Sequence, residues 1–171
     1  MHTNIFVLSE NVKKCASYHC DQHVVKMILE SAQMLSTVCN LSGRKTEYKP
    51  AFRNHPCTKW VHRSLSNWLW LRSLARELNN EFVNRYSHTD SHKSSTVISK
   101  LEEPKIDDVG LTPFAQAMPK KYRIEGDAVS AYRKYYLNEK TFANDTHSVR
   151  VAVAWAGIAL AGSRYASSYR G

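Results

Sequence analysis

The sequence predicts an all-α fold, a compact bundle built around two long helices with an extended N-terminal segment. Two long stretches, residues 18–38 and 56–86, place apolar residues at spacings of three and four, which is the period of an α-helix. The chain is 43% hydrophobic and contains four tryptophans and nine tyrosines, so it can fill a core. With 171 residues and no internal repeat, it is expected to form one domain.

The first stretch carries a narrow polar row on an otherwise apolar helix. Residues 4–8 are expected to lie extended across the core, and a loop that includes residues 13–15 leads into a helix over residues 18–38. Five polar residues recur at spacings of four, three, four and three and therefore share one face: His19, His23, Lys26, Glu30 and Gln33. A helix that is apolar nearly all round is usually buried, so this row resembles the wall of a site. The alternative is a solvent-facing strip in which Lys26 pairs with Glu30, worth roughly 0.2–0.5 kcal/mol.

The second long helix follows a polar connection over residues 41–54. Pro56 sits near its start, where a missing N–H costs nothing. The helix is expected to end near Tyr86, with apolar positions at Val61, Leu65, Trp68, Leu71, Ala75, Leu78 and Phe82. Three tryptophans in this helix are interpreted as packing groups: Trp60, Trp68 and Trp70.

The remaining elements are shorter. Asp127, preceded by Gly126, marks the start of a third helix that is expected to reach residue 142. Before it we expect a weak helix over residues 96–101, an acidic turn region over 102–110 and one helical turn over 114–118. We assign residues 1–145 to a single helical domain and residues 146–171 to a C-terminal tail of unassigned structure.

The charge favours DNA as a partner. The formal net charge is +9 at pH 7, and nucleic acid is the commonest acidic partner of a small basic protein. No stretch reaches about 18 apolar residues, and the first residues lack the features of a signal peptide, so no membrane association is expected. The cysteine spacing is unlike that of a small secreted scaffold, so we expect a cytoplasmic protein with reduced thiols at Cys15, Cys20, Cys39 and Cys57.

Three segments, in order, resemble one known family. Asp21-Gln22-His23 is followed seven residues after the histidine by Glu30, and Asn54-His55-Pro56 leads into the second long helix. Residues 118–123, Met-Pro-Lys-Lys-Tyr-Arg, precede a helix that ends Asn138-Glu139-Lys140. Over most of residues 1–142 the chain resembles the phage pyrimidine-dimer DNA glycosylases of the endonuclease V type. It is also similar to uncharacterised phage proteins of the same length that begin Asn-Ile-Phe-Val-Leu and share the Tyr-His-Cys-Asp stretch.

The resemblance implies a DNA glycosylase and abasic-site lyase that acts on damaged or modified pyrimidines in double-stranded DNA, without a cofactor, in a bacterial host cytoplasm. The family's nucleophile is the α-amino group of the mature N-terminus, here the amine of Met1, and Lys26 is the other amine near Glu30. Glu30 would stabilise the cationic sugar and move protons, and His23 would orient Glu30 or contact a phosphate. The residues expected to contact DNA are His19, Gln33, Arg44, Lys45, Arg53, Lys59, Lys120, Lys121 and Arg123.

Three departures from the family and three alternatives complete the prediction. The family exposes a small residue at its N-terminus after the first methionine is removed, whereas here His2 follows Met1. The family has arginines where this chain has Leu29 and Gln33, and its C-terminal aromatic cluster is not matched. One alternative is a zinc site, since histidines four residues apart on a helix can share one ion; its ligands would come from His19, His23, His55 and Cys57. The others are a DNA base-modifying transferase on the same scaffold and a non-catalytic DNA-binding protein. The sequence does not predict an oligomeric state.

Overall fold

The structure, a computed structural model, describes residues 3–87 and 89–139 together with Val151 and Trp155. These residues form six α-helices and no β-strand, which confirms the all-α prediction. The helices are α1 (Val12–Tyr18), α2 (Asp21–Leu41), α3 (Pro56–Arg63), α4 (Leu65–Tyr86), α5 (Lys93–Ser99) and α6 (Ala128–Asn138), and a 3₁₀ turn spans Lys120–Tyr122. Within this described part, none of the helices is both long and apolar enough to cross a membrane.

The core lies between the two long helices. α2 packs along α4, α1 packs on α4, and α3 contacts both long helices. Trp68 of α4 is fully buried, and its indole N–H donates to the Leu35 carbonyl of α2 at 3.2 Å. Trp60 is also buried, and the half-buried Trp70 donates to the Glu10 carbonyl at 3.0 Å, so all three tryptophans pack as predicted. Each large apolar side chain buried in this way contributes about 1.5–3 kcal/mol.

Residues 3–8 run across this core outside any helix or strand. All six are buried, and Ile5, Phe6, Val7 and Leu8 are at most 5% exposed. The N-terminal segment is therefore part of the core, and its Phe6 ring stacks on His23 of α2.

The first long helix begins later than predicted. Cys20 and the residue before it are extended, with ψ angles of 157° and 138°, so α1 and α2 are separate helices. Residues 13–15, predicted to be a loop, lie in α1, because Asn11 Oδ1 caps that helix by accepting from the Lys14 N–H at 3.0 Å. His19 therefore lies off the helix that carries the other four polar residues, and the prediction of a five-residue row was wrong at that position.

Arg85 of α4 stabilises this break. Its guanidinium donates to the carbonyls of Ser17 at 3.0 Å and His19 at 2.7 Å, which lie at the end of α1. The same group forms an ion pair at 3.0 Å with Asp21 in the first turn of α2. Carbonyls at a helix end have no intrahelical partner, and here a distant side chain supplies the donors.

The second predicted helix has both predicted ends but consists of two helices. Ser64, with φ −154° and ψ 142°, separates α3 from α4. Asp108 Oδ1 accepts from the Ser64 hydroxyl at 2.9 Å and from the Ser66 hydroxyl and N–H at 2.7 and 3.2 Å. The Ser66 hydroxyl, the Gly110 N–H and the Ser64 hydroxyl together lower the pKa of the Asp108 carboxyl to about 2.

The shorter elements differ more from the prediction. α5 begins three residues before the predicted start at residue 96 and ends at Ser99. The helical turn predicted over residues 114–118 is absent, because the Ala117 N–H donates instead to the Tyr132 hydroxyl at 3.1 Å. The 3₁₀ turn forms directly after this stretch.

The last helix begins as predicted. Asp127 is the N-cap of α6 and accepts from the Ser130 N–H at 3.0 Å. It ends at Asn138, because Glu139 is extended with ψ 115°, so the predicted end at residue 142 was wrong by four residues. The predicted tail over residues 146–171 lies outside the described residues, apart from the buried Val151 and Trp155.

Candidate active site

Glu30 lies in the middle of α2 and is buried. It is 1% exposed, and neither carboxylate oxygen has a hydrogen-bond partner among the described residues. Such unpaired buried groups are rare, because a carboxylate removed from water without new hydrogen bonds is costly. Burial raises the pKa of the carboxyl above its ordinary value, and the charge of Lys26 and the Asn4 backbone N–H oppose the rise. The alternative interpretation of the polar row as a solvent-facing strip is therefore excluded at Glu30.

Two parts of the chain lie close to the Glu30 carboxylate. One is the N-terminal segment, since the Asn4 backbone N–H influences the pKa of Glu30. The other is the first turn of α3, where burial raises the pKa of the Cys57 thiol to about 12 and the charge of Glu30 adds to the rise. Cys57 Sγ and Asn4 Oδ1 are 3.8 Å apart, so the N-terminal segment and the first turn of α3 are in contact.

Asn4 anchors the N-terminal segment at this point. Its Nδ2 donates to the Ala117 carbonyl at 2.8 Å, and its Oδ1 accepts from the Tyr132 hydroxyl and the Ile5 N–H, each at 2.8 Å. Tyr132 comes from α6 and is fully buried. The N-terminal segment is therefore held in a fixed position at Asn4.

His23 contacts aromatic side chains instead of Glu30. Its Nδ1 lies 2.5 Å from the Tyr136 hydroxyl, and its ring stacks on Phe6 with centroids 4.3 Å apart. Seven residues separate His23 from Glu30, about 10.5 Å along the helix axis. No hydrogen bond joins the two side chains, so the structure does not show His23 orienting Glu30 directly.

The other members of the predicted row have different surroundings. His19 has no exposed surface, and its Nδ1 donates to the Cys15 carbonyl at 2.7 Å, so it cannot reach DNA in this conformation. Lys26 and Gln33 are half-buried on the Glu30 side of α2, and in the described part of the chain Lys26 forms no ion pair. Met1, the other predicted amine, lies outside the described residues.

The basic residues predicted to contact DNA fall into two groups. Five exposed ones lie in the two segments that meet at Asn4 through Cys57 and Ala117: Arg53, Lys59, Lys120, Lys121 and Arg123. Arg44 and Lys45 lie just beyond the other end of α2, where Arg44 forms an ion pair with Glu102 at 2.7 Å. The first group is therefore the one that borders the candidate site.

The predicted alternative of a zinc site gains no support. Across the residues that the structure describes, no three His, Cys, Asp or Glu side chains come together in a group that could hold a metal ion. His55 serves as the N-cap of α3, where its Nδ1 accepts from the Cys57 N–H at 3.1 Å. All four cysteines are buried free thiols.

Comparison with known families confirms the resemblance. The model of a family described as pyrimidine dimer DNA glycosylase matches residues 3–94, more than half of the chain. The chain belongs to the pyrimidine dimer DNA glycosylase family. It is therefore an enzyme of the DNA glycosylase type, and its substrate is DNA. Searches of curated proteins and of solved structures returned no match.

Part of the candidate site of this glycosylase lies beyond the matched residues. The match contains Asn4, Glu30 and Cys57, whereas Tyr132 and Tyr136 belong to α6. The sequence patterns did not predict Asn4 or either tyrosine as site residues. Two weak signals were present: Asn4 is a polar residue directly before an apolar run, and the two tyrosines are four residues apart, on one face of a helix.

Proposed function

We propose that the chain is a DNA N-glycosylase with abasic-site lyase activity, acting on damaged or modified pyrimidines in double-stranded DNA through an imine intermediate. The observation that carries this proposal is the buried Glu30 carboxylate, whose unpaired oxygens lie beside the anchored N-terminal segment. Membership of the family supports base removal as the chemistry.

In the first step, a neutral protein amine attacks C1′ of the deoxyribose. The nitrogen lone pair forms the new C–N bond, and the base leaves with the electron pair of the broken bond and takes up a proton. Positive charge develops on the sugar during this step. A carboxylate held away from water stabilises that charge more strongly than one in water does, and in this proposal Glu30 supplies the carboxylate.

The lyase step follows from the same adduct. The attached nitrogen loses a proton and its lone pair opens the sugar ring, which gives an imine while O4′ takes up a proton. Removal of a proton from C2′ then expels the 3′ phosphate by β-elimination, and water hydrolyses the imine to restore the amine. A carboxyl with a raised pKa, such as that of Glu30, can give the proton to O4′ and accept the one from C2′.

The α-amine of Met1 is our first candidate for the nucleophile. Three residues span at most about 11 Å, so the chain start cannot lie far from the Asn4 anchor beside Glu30. An α-amine has an ordinary pKa of about 7.7–8.0, so a useful fraction is neutral at pH 7. Lys26 is the second candidate, because it lies one helical turn from Glu30 and its charge influences the pKa of that carboxyl.

The surface around the site is suited to a DNA backbone. The five exposed basic residues on the two segments that meet at Asn4 hold phosphates on either side of the reacting sugar, with an affinity that falls as salt rises. Gln33, half-buried one turn from Glu30, contacts the sugar or base. His23 supports the N-terminal segment through its stacking on Phe6.

Borohydride trapping on an abasic-site duplex tests the proposal. Borohydride reduces the imine to a stable adduct, and mass mapping identifies the amine; we expect the α-amine of Met1. Glu30→Gln should bind the duplex as the wild type does but cleave it at least about 100-fold more slowly, which is the usual size of a general acid–base contribution. Glu125→Gln, at an exposed glutamate before α6, is the matched control and should keep full activity.

Each outcome separates two explanations. An adduct on Lys26 moves the nucleophile from the chain start to α2 and leaves the role of Glu30 intact. If the wild type binds the duplex and gives no adduct, the chain is not an amine-dependent lyase. Full strand cleavage by Glu30→Gln would refute the role of Glu30.

A further inference from the structure

Phe52 has a backbone conformation that bulky side chains rarely adopt. Its φ is +52°, in the left-handed region, where Cβ crowds the following carbonyl. Ser87 also has φ +52°, but it ends α4 as a left-handed cap, which is a common way for a helix to end. Phe52 ends no helix, so helix termination does not account for its strain.

The ring of Phe52 is also exposed. The residue is 48% exposed, and its ring stacks on no other aromatic ring in the described part of the chain. A single exposed apolar side chain is ordinary on a protein surface. Here, however, exposure and backbone strain occur at the same residue, and strain of this kind concentrates at functional sites.

The loop that carries Phe52 is fixed to the Glu30 face of α2. The Ala51 N–H donates to the Thr37 hydroxyl at 3.0 Å, and that hydroxyl lies 3.1 Å from the Ala51 carbonyl oxygen. The His55 N–H donates to the Phe52 carbonyl at 2.9 Å. Thr37 follows Glu30 by seven residues, which places it on the same face of α2 about 10.5 Å along the axis. The ring is therefore displayed from a fixed loop beside the candidate site.

The chain around the ring is basic. Residues 48–63 contain Lys49, Arg53, Lys59 and Arg63 and no acidic residue. An aromatic ring can stack on DNA bases, and the basic residues beside it can bind the phosphates of the two strands. These properties favour DNA as the partner that binds Phe52 and the basic residues around it.

We propose that Phe52 inserts between base pairs of bound DNA and occupies the gap left by a nucleotide turned out of the helix. The inference rests on the proposed function, since chemistry at C1′ in a duplex requires a nucleotide outside the stack. Apolar side chains that enter a base step replace lost stacking and hold the duplex distorted. A ring held on a fixed loop also loses little conformational freedom when it inserts.

The first measurement uses a duplex that cannot react. A tetrahydrofuran abasic analogue is placed beside 2-aminopurine, whose fluorescence reports on stacking. We expect a change in fluorescence when the wild type binds, at least a tenfold smaller change for Phe52→Ala, and retention of the change for Phe52→Trp. Leu137→Ala removes an equally exposed apolar side chain, at 52%, and should behave as the wild type.

The second measurement separates this inference from the proposed function. Borohydride trapping is run on abasic DNA in single-stranded and duplex form, because a single strand needs no insertion. Phe52→Ala should trap the single strand at the wild-type rate and the duplex at least tenfold more slowly. Phe52→Gly, which relieves the positive φ, should show the same defect with an unchanged or raised midpoint of denaturation.

Equal rates for Phe52→Ala and the wild type on the duplex would overturn the insertion role and leave the glycosylase proposal standing. An equal loss on single strand and duplex would also overturn it, because the residue would then act on the chemistry. Failure of the wild type to trap either substrate would refute the proposed function, and the insertion role with it.

Discussion

Replacement of Glu30 by glutamine should change how stability depends on pH. The fold raises the pKa of this carboxyl through burial, so folding favours its protonated form. The contribution of Glu30 to the free energy of unfolding is therefore fully present below the ordinary pKa of 4.5. This contribution is lost as pH rises through the raised pKa of the folded state. Glutamine has the same shape and no charge, so Glu30→Gln should not show this loss.

The size of the effect follows from one proton. While the folded protein keeps Glu30 protonated and the unfolded chain does not, wild-type stability falls by up to about 1.4 kcal/mol per pH unit relative to Glu30→Gln. Above the folded-state pKa the difference becomes constant. A buried amide without partners can itself cost about 1–3 kcal/mol, but that cost does not vary with pH. The slope of the difference, rather than its absolute value, is the quantity that the structure predicts.

Urea denaturation at half-unit steps between pH 4 and 8 measures the slope. The free energy of unfolding of Glu30→Gln minus that of the wild type should rise with pH and then level off. Other titrating groups cancel in this difference, and Glu125→Gln should give a flat line. A flat line for Glu30→Gln as well, or a falling one, would show that the carboxyl is not held in a desolvated environment, and the proposed chemistry would lose its basis.

Two further predictions concern the surroundings of the site. Tyr132→Phe leaves the Ala117 N–H without its acceptor and removes a donor to Asn4. The free energy of unfolding should therefore fall by about 1–3 kcal/mol. The rate of borohydride trapping should also fall, even under conditions in which denaturation shows the variant to be fully folded. If it traps at the wild-type rate, anchoring of Asn4 by Tyr132 does not position the nucleophile. The double variant Lys120→Ala/Lys121→Ala should make the plot of log affinity versus log salt concentration less steep by about 1.8, measured on the duplex with the abasic analogue. The control Lys105→Ala, near the other end of α2, should leave this slope unchanged. An unchanged slope would place these lysines outside the DNA interface.

Helical periodicity predicted the long helices but not their interruptions. The stretches that became α2 and α4 repeat apolar residues at spacings of three and four, and Asp127 is a recognisable N-cap. The breaks at His19 and Ser64 depend on Arg85 and Asp108, which lie more than 40 residues away in sequence. A pattern read within one window cannot include such a partner.

The candidate site was predictable to a similar degree. Glu30 was found because a polar residue on an otherwise apolar helix conflicts with burial, and that conflict persists in the folded chain. Asn4 and Tyr132 were missed because the hydrogen bond that joins them spans 128 residues. Phe52 was not predicted for a different reason: its positive φ cannot be inferred from the residue type, because phenylalanine rarely adopts this conformation.

Two unfavourable features of the described residues lie on the same side of α2. Glu30 is a buried acid without hydrogen-bond partners among the described residues, and Phe52 is a strained, exposed ring on a loop bonded to Thr37, two turns further along α2. Because a bulky residue in the left-handed region costs roughly 1–2 kcal/mol, a protein selected for stability alone would relieve both. Bound DNA accounts for both features if a flipped nucleotide brings its sugar to the Glu30 carboxylate and the Phe52 ring fills the gap that this nucleotide leaves. On this reasoning, Phe52→Gly should leave the free protein at least as stable as the wild type, and the stability of Glu30→Gln relative to the wild type should rise with pH. The double variant should be the least active of the three.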